Sequence, residues 1–198
     1  MKLVTILLVS IPLICTAVDI MLFDNRYACT GLGTICIDIP HSMCCQSSYG
    51  PIAGSVSGQT KNSTDRITLY RKIGSNLCGV TWGVTHRLRT YCAVLGDQIN
   101  DEHWVGGAAW SPGGGPPIEG GEACAEVVAG DNMFAEGGKM WVISREKMQG
   151  LVGGGVEVPR GESDMLAFFK MHADRVMDDG EGHSVREMRL VCPREGLM

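Results

Sequence analysis

The stretch Arg66-Ile-Thr-Leu-Tyr-Arg-Lys72, followed by Gly74-Ser-Asn76 and Leu77-Cys-Gly-Val-Thr-Trp82, decides the fold class. In an extended chain successive side chains point to opposite faces, so Ile67, Leu69 and Arg71 share one face and Thr68 and Tyr70 the other. β-Branched and aromatic residues pack well on a pleated surface, which argues for strands here. Gly74-Ser-Asn76 is turn chemistry between the two runs. The reading is strand, turn, strand.

The same grammar continues on both sides. Upstream stand the short apolar runs Ile20-Met-Leu-Phe23 and Ile35-Cys-Ile-Asp-Ile39. Downstream, His86-Arg-Leu-Arg-Thr-Tyr-Cys-Ala-Val-Leu95 alternates as a third strand, turning from the second at Gly83-Val-Thr85. Trp104-Val-Gly-Gly-Ala-Ala-Trp110 is a fourth, its glycines marking a bulge or a close backbone approach. The segment from Ser111 to Gly121 is too rich in proline and glycine for a regular element, and it is the one place where the chain could divide internally. Lys139 to Ser144 is another strand, Gly153-Gly-Gly155 a turn, and Ser184 to Cys192 a closing strand. One helix is predicted, from Ser163 as N-cap to Asp178, with Asp164 in its first turn and Gly180 beyond its end. At 100° per residue Met165, Leu166, Phe168, Phe169, Ala173, Val176 and Met177 share its apolar face, with Lys170, Asp174 and Asp178 opposite. A hairpin over 172–190, turning at Asp178-Asp-Gly-Glu-Gly182, is the competing reading. Glycine is 27 of 198 residues, against a usual share of ~7%, which favours turns and short strands. The expected fold is β-rich α+β: a disulfide-bonded antiparallel sheet or sandwich with one C-terminal amphipathic helix, in a single domain over residues 18–198.

Compartment is read from the N-terminus. Met1-Lys2 precedes the apolar run Leu3 to Ala17, which ends in small residues, with Cys15 and Ala17 at −3 and −1 of a cleavage site. That is the anatomy of a signal peptide over residues 1–17. The run is shorter than the ~20 residues a membrane span needs and is broken by Pro12. Cleavage removes one of nine cysteines and leaves eight: Cys29, Cys36, Cys44, Cys45, Cys78, Cys92, Cys124 and Cys192. An even set in an oxidising compartment pairs completely. Neighbouring Cys44 and Cys45 are too close to bond each other well, so they reach different partners and pin two layers at one point. Two pairings stand open: Cys78 with Cys92 across a hairpin, or one of these two with Cys44 or Cys45, drawing the N-terminal segment onto the strands. Asn62-Ser-Thr64 is an N-glycosylation sequon in a polar loop. A soluble, extracellular product is expected.

The net charge of −5 and the lack of basic clusters argue against nucleic acid and anionic membranes as partners. No cofactor or metal ligand set is apparent: no paired C-x-x-C and no histidine pair accompany the cysteines. No G-x-S-x-G elbow, H-E-x-x-H helix or P-loop occurs, so no catalytic residue is assigned. Asp101-Glu102-His103 is the densest titratable cluster, but consecutive strand residues do not face one ligand, and it reads as a solvated turn. His172 falls within the helix's apolar face as a core histidine, and His41, His86 and His183 have no motif around them. Glu119, Glu122, Glu126 and Glu136 flank the glycine-rich region and are the carboxylates available to line a cleft.

Cys36-Ile-Asp-Ile-Pro-His-Ser-Met-Cys-Cys45, a polar stretch, Asp65-Arg-Ile-Thr-Leu-Tyr70 and Cys78-Gly79 together resemble uncharacterised cysteine-rich secreted proteins of filamentous fungi, a group treated as candidate effectors. The resemblance covers about residues 29–95 and rests on cysteine spacing. It implies export and a bridged β-rich fold, and it carries over no active site. The functional expectation is a non-enzymatic secreted protein acting by binding, with a host protein or a cell-wall polysaccharide as partner. The alternative is a small secreted hydrolase whose site is assembled only in the fold. A cleft gathering two carboxylates with a perturbed pKa would point to the enzyme, and an exposed apolar patch without them to the binder.

Overall fold

The computed structural model describes residues 17–48, 53–60, 64–86, 92–94, 105–113 and 126–178. In chain order these form β1 (Ala17–Phe23), β2 (Gly31–Pro40), β3 (Met43–Gln46), β4 (Ser55–Gln59), β5 (Arg66–Ile73), β6 (Asn76–His86), β7 (Cys92–Val94), β8 (Val105–Ser111), β9 (Glu126–Ala129), β10 (Asp131–Glu136), β11 (Lys139–Ile143), α1 (Arg145–Gly153), α2 (Glu162–His172) and β12 (Arg175–Asp178). Seven strands make one sheet, ordered β12-β11-β10-β2-β1-β4-β7, and five make a second, ordered β6-β5-β8-β3-β9. The pairings are antiparallel except that of β3 with β9. The β-rich, disulfide-bonded α+β architecture is as expected.

Alternation along β1 shows how the layers form. Val18, Ile20 and Leu22 face the second sheet and join Cys45, Ile67, Leu69, Val105 and Trp110 in one core. Met21 and Phe23 point the other way into a second cluster with Ile35, Met133 and Met140. Trp110 is buried, and its Nε1 donates to the Ile39 carbonyl oxygen at 2.7 Å, so one indole fastens β8 to β2 across the sandwich. The paired residues Leu22, Thr34, Asn132 and Ile143 keep that inner face continuous across β1, β2, β10 and β11. Beyond β2, however, helices cover it instead of the second sheet. Phe134 and Ile143 pack there with Met148 of α1 and with Met165, Phe168 and Phe169 of α2.

The expected strand, turn, strand over 66–82 is a hairpin, with Ile73 opposite Asn76 and Gly74 at φ +59°. Ile67 and Leu69 share the inner face, and the other face is buried too, since Thr68 and Tyr70 are fully covered. The start of β6 lies over β8: a Cβ on Gly106 would stand 2.5 Å from the Leu77 carbonyl oxygen, and one on Gly107 2.6 Å from Cys78 Sγ. The two glycines of β8 mark the close approach that their position suggested.

Three expectations are corrected. There is no turn at Gly83-Val-Thr85: β6 runs on to His86 because β5 offers it partners throughout, Leu69 for Gly83 and Ile67 for Thr85. Of the expected strand 86–95 only Cys92–Val94 lies among the described residues outside β6, and it pairs with β4 in the other sheet. Cys78 therefore does not bond Cys92. Among the described residues the bridges are Cys29–Cys92, Cys36–Cys45 and Cys44–Cys78, so the competing assignment, with one of the two cysteines sent to Cys44 or Cys45, is the one adopted, through Cys78. Cys44 and Cys45 face opposite sides of β3 and reach different partners, as their adjacency required. The helix predicted to Asp178 ends at His172, after a start at Glu162 with Gly161, not Ser163, as its N-cap residue. Ala173 leaves the helical region, and the Asp174 N–H donates to the Val142 carbonyl at 2.8 Å, which seeds β12 on β11. A second helix, α1, joins the one expected. Cys124, Cys192, Asn62, the 114–121 part of the glycine-rich loop and the expected strand 184–192 lie outside the described residues.

Candidate functional site

A cleft of about 280 Å³ opens where the sandwich gives way to the helical layer. Its floor is Leu32 and Phe134, a cross-strand pair of β2 and β10, with Met165 of α2. One wall is the loop joining β1 to β2, contributing Asp24, Asn25, Thr30 and Gly31; the other is Arg160 and Glu162, at the entry to α2. A smaller void of about 10 Å³ behind Leu22 and Ala53 has room for no more than a water molecule.

The loop is shaped by its own polar side chains. The Asp24 N–H donates to the Leu32 carbonyl at 3.0 Å and closes its base. Asn25 Oδ1 accepts the Tyr27 N–H at 2.9 Å, a local turn that asparagine favours, and its amide donates to Thr30 Oγ1 at 3.3 Å. Ser55 Oγ reaches in from β4 to the Ala28 carbonyl at 2.8 Å. Gly31 has φ +87°, a conformation that L side chains rarely adopt, and a Cβ there would stand 3.6 Å from Asp24 Oδ1. The carboxylate thus lies close above the turn.

Charge is uneven across the cleft. Burial raises the Asp24 carboxyl above its ordinary range and the Glu162 carboxylate pushes it the same way, against the backbone N–H groups of Asp24 and Asn25. The residue as a whole stays exposed, so water screens both effects. Glu162 and Asp164 sit in the first turn of α2, where the helix dipole favours negative charge.

Other candidates lie elsewhere. Glu126 opens β9 and Glu136 ends β10, in different sheets and both exposed, so neither lines the cleft; Glu119 and Glu122 are outside the described residues. His172 is not a core histidine. It is half-buried, its ring 4.8 Å from that of Phe168. His41 is exposed, against the edge of Trp110 and bonded to Ser42 Oγ at 3.0 Å. Asp101-Glu102-His103 and His183 are outside the described residues, and nothing is described of the His86 side chain. Among the described residues no three His, Cys, Asp or Glu side chains gather as a metal site, and no helix is long and apolar enough to cross a membrane. No sequence pattern marks Asp24 and Glu162, the carboxylates that line one cleft. The only local cue was Asp24-Asn25 after an apolar run.

Comparison with family models, with curated proteins and with solved structures finds no match to this chain.

Proposed function

We propose that the protein is a secreted, disulfide-stabilised binding protein that takes the end of a glycan chain, of the kind found in cell walls, into the cleft between Asp24 and Glu162. One observation carries this reading. Carboxylate, amide, hydroxyl and guanidinium groups from Asp24, Asn25, Thr30, Arg160 and Glu162 ring an apolar floor of Leu32, Phe134 and Met165. Planar polar groups of this kind pair with the adjacent hydroxyls of a sugar, while its C–H face rests on apolar surface. Three disulfides suit an oxidising exterior. Among the described residues, removal of a signal peptide ending at Ala17 would cost the sheet the Ala17–Pro40 pair and leave Val18 onward in place. Export, glycosylation at Asn62 and an effector-like role in a filamentous fungus belong to the same proposal and rest on the sequence.

A second reading, glycoside hydrolysis by a pair of carboxyl groups, is favoured by Asp24 and Glu162 lining one cleft, with burial raising the Asp24 carboxyl. Titrating wall-derived oligosaccharides into the protein, with reducing ends assayed in parallel, separates the two. Binding alone predicts saturable heat, about tenfold weaker in Asp24→Asn and Glu162→Gln, with no reducing ends released. Hydrolysis predicts release that these substitutions abolish. No heat with any fragment would overturn the glycan assignment.

A further inference from the structure

The disulfides differ in exposure, and the difference falls on the cleft. Cys36, Cys44, Cys45 and Cys78 are buried, none more than 3 % exposed. Cys29 and Cys92 are only half-buried. Cys29 immediately precedes Thr30 and Gly31 of the cleft wall, and Cys92 belongs to β7, a three-residue strand that among the described residues ends its sheet and pairs only with β4. Beyond its closed base, the ties of the loop include side-chain bonds at exposed or half-buried positions.

We propose that Cys29–Cys92 is a redox-sensitive staple of the loop Asp24–Thr30, and that opening it loosens the cleft wall and weakens ligand binding. This rests on the cleft reading for its consequence, but not for its chemistry. An accessible disulfide is the one an external dithiol reaches first, whereas buried bridges exclude the attacking thiolate. The thiolate attacks one sulfur, the Cys29–Cys92 bond breaks, and a mixed disulfide forms. The reagent's second thiolate displaces it, closing the reagent's own disulfide. Two electrons and two protons pass to the protein, leaving Cys29 and Cys92 as thiols. Asn25 and Thr30 then keep their mutual bond but lose the covalent tie to the sheet edge.

Graded dithiothreitol on the full oxidised chain, followed by alkylation and peptide mapping, tests the order of opening. Hydrogen exchange over 24–31 and titration of the best-binding oligosaccharide are read on the same samples. Cys29 and Cys92 should be alkylated at dithiol concentrations at least tenfold below those that open the other two bridges. Exchange in the loop should then rise about tenfold and affinity fall about tenfold, while β1, β2 and β8 stay protected. Cys29→Ser/Cys92→Ser should reproduce the reduced state without dithiol. Opening of all three bridges together, or an unchanged loop after selective reduction, would overturn the staple. If the oxidised protein binds no glycan, the cleft reading fails, and the order of opening and the loop exchange still decide this proposal.

Discussion

The inner face of the seven-stranded sheet is covered in two ways. Across β4, β1 and β2 it meets a second sheet, with Trp110 reaching through to Ile39 and the Cys36–Cys45 bridge crossing between layers. Across β10 and β11 it meets two helices, and no disulfide joins that region among the described residues. There carboxylates do the fastening. Asp131 Oδ1 accepts the Arg145 N–H at 3.0 Å, and Asp174 accepts the Ser144 N–H at 2.8 Å and Lys147 Nζ at 2.9 Å. They occupy two of the backbone donors that the start of α1 leaves open, those of Ser144 and Arg145, where Ser144 makes no cap with its own side chain. One region is fastened by disulfides and the other by carboxylates, and the cleft has a wall in each.

The largest effect should come from breaking the covalent region. Removing Cys44–Cys78 by a double alanine substitution reopens a sequence separation of 34 residues, worth about 4 kcal/mol in the chain-entropy model. Urea unfolding should show that loss, and a change below about 1 kcal/mol would mean that the Cys44–Cys78 bridge adds little to the packing around it. Phe169→Ala comes next. Phe169 is fully buried between Phe134 and Phe168, and its truncation should cost about 3 kcal/mol. Hydrogen exchange should locate the loosening in α2 and β12, and equal loosening of β1 and β8 would erase the distinction between the regions.

Asp174→Asn sharpens the comparison at lower energy. The Ser144 N–H, then Lys147, lower the Asp174 carboxyl from 3.8 to about 2. A folded-state pKa below the unfolded one stabilises above the unfolded value and loses that contribution as pH falls through the folded one. The side chain is about one third exposed, so after solvent screening the substitution should cost about 1 kcal/mol at neutral pH. Wild type and variant should converge between pH 4 and pH 2, and a gap that persists at pH 2 would assign the effect to something other than charge. Smallest is Lys170→Ala. Its Nζ sits 5.0 Å from the centre of the Trp141 ring, a contact worth about 0.5 kcal/mol at an exposed site, to be read in denaturant melts with tryptophan emission.

What was legible in the chain was local. Alternation gave β5, the Gly74 turn gave its hairpin, and the adjacency of Cys44 and Cys45 gave divergent bridges. The β10–β11 hairpin had a signal in Gly137-Gly138, both with positive φ, between Asn-Met-Phe and Met-Trp-Val. Helix α1 did not: it buries only Met148, too little periodicity to read. Helix α2 was extended too far because Val176 and Met177 fit a helical stripe as well as a strand, and only the open edge of β11 chooses between them. Asp24 and Glu162 line one cleft because the fold sets the β1–β2 loop beside the entry to α2, a juxtaposition no local pattern encodes.

The back-to-back cysteines of β3 also bear on how the chain reaches this state. In an unstructured chain a loop from Cys36 to Cys44 closes as readily as one to Cys45, since it differs by one residue. Only the pleat of β3 tells them apart, because exchanging the two partners requires a one-residue slip that turns the strand over. Pairing with β8 and β9 on either side sets that register. Oxidative refolding from the reduced chain should therefore accumulate an isomer carrying Cys36–Cys44 and Cys45–Cys78. Its conversion by thiol exchange would set the pace of maturation, and a disulfide isomerase would speed it without altering the end product.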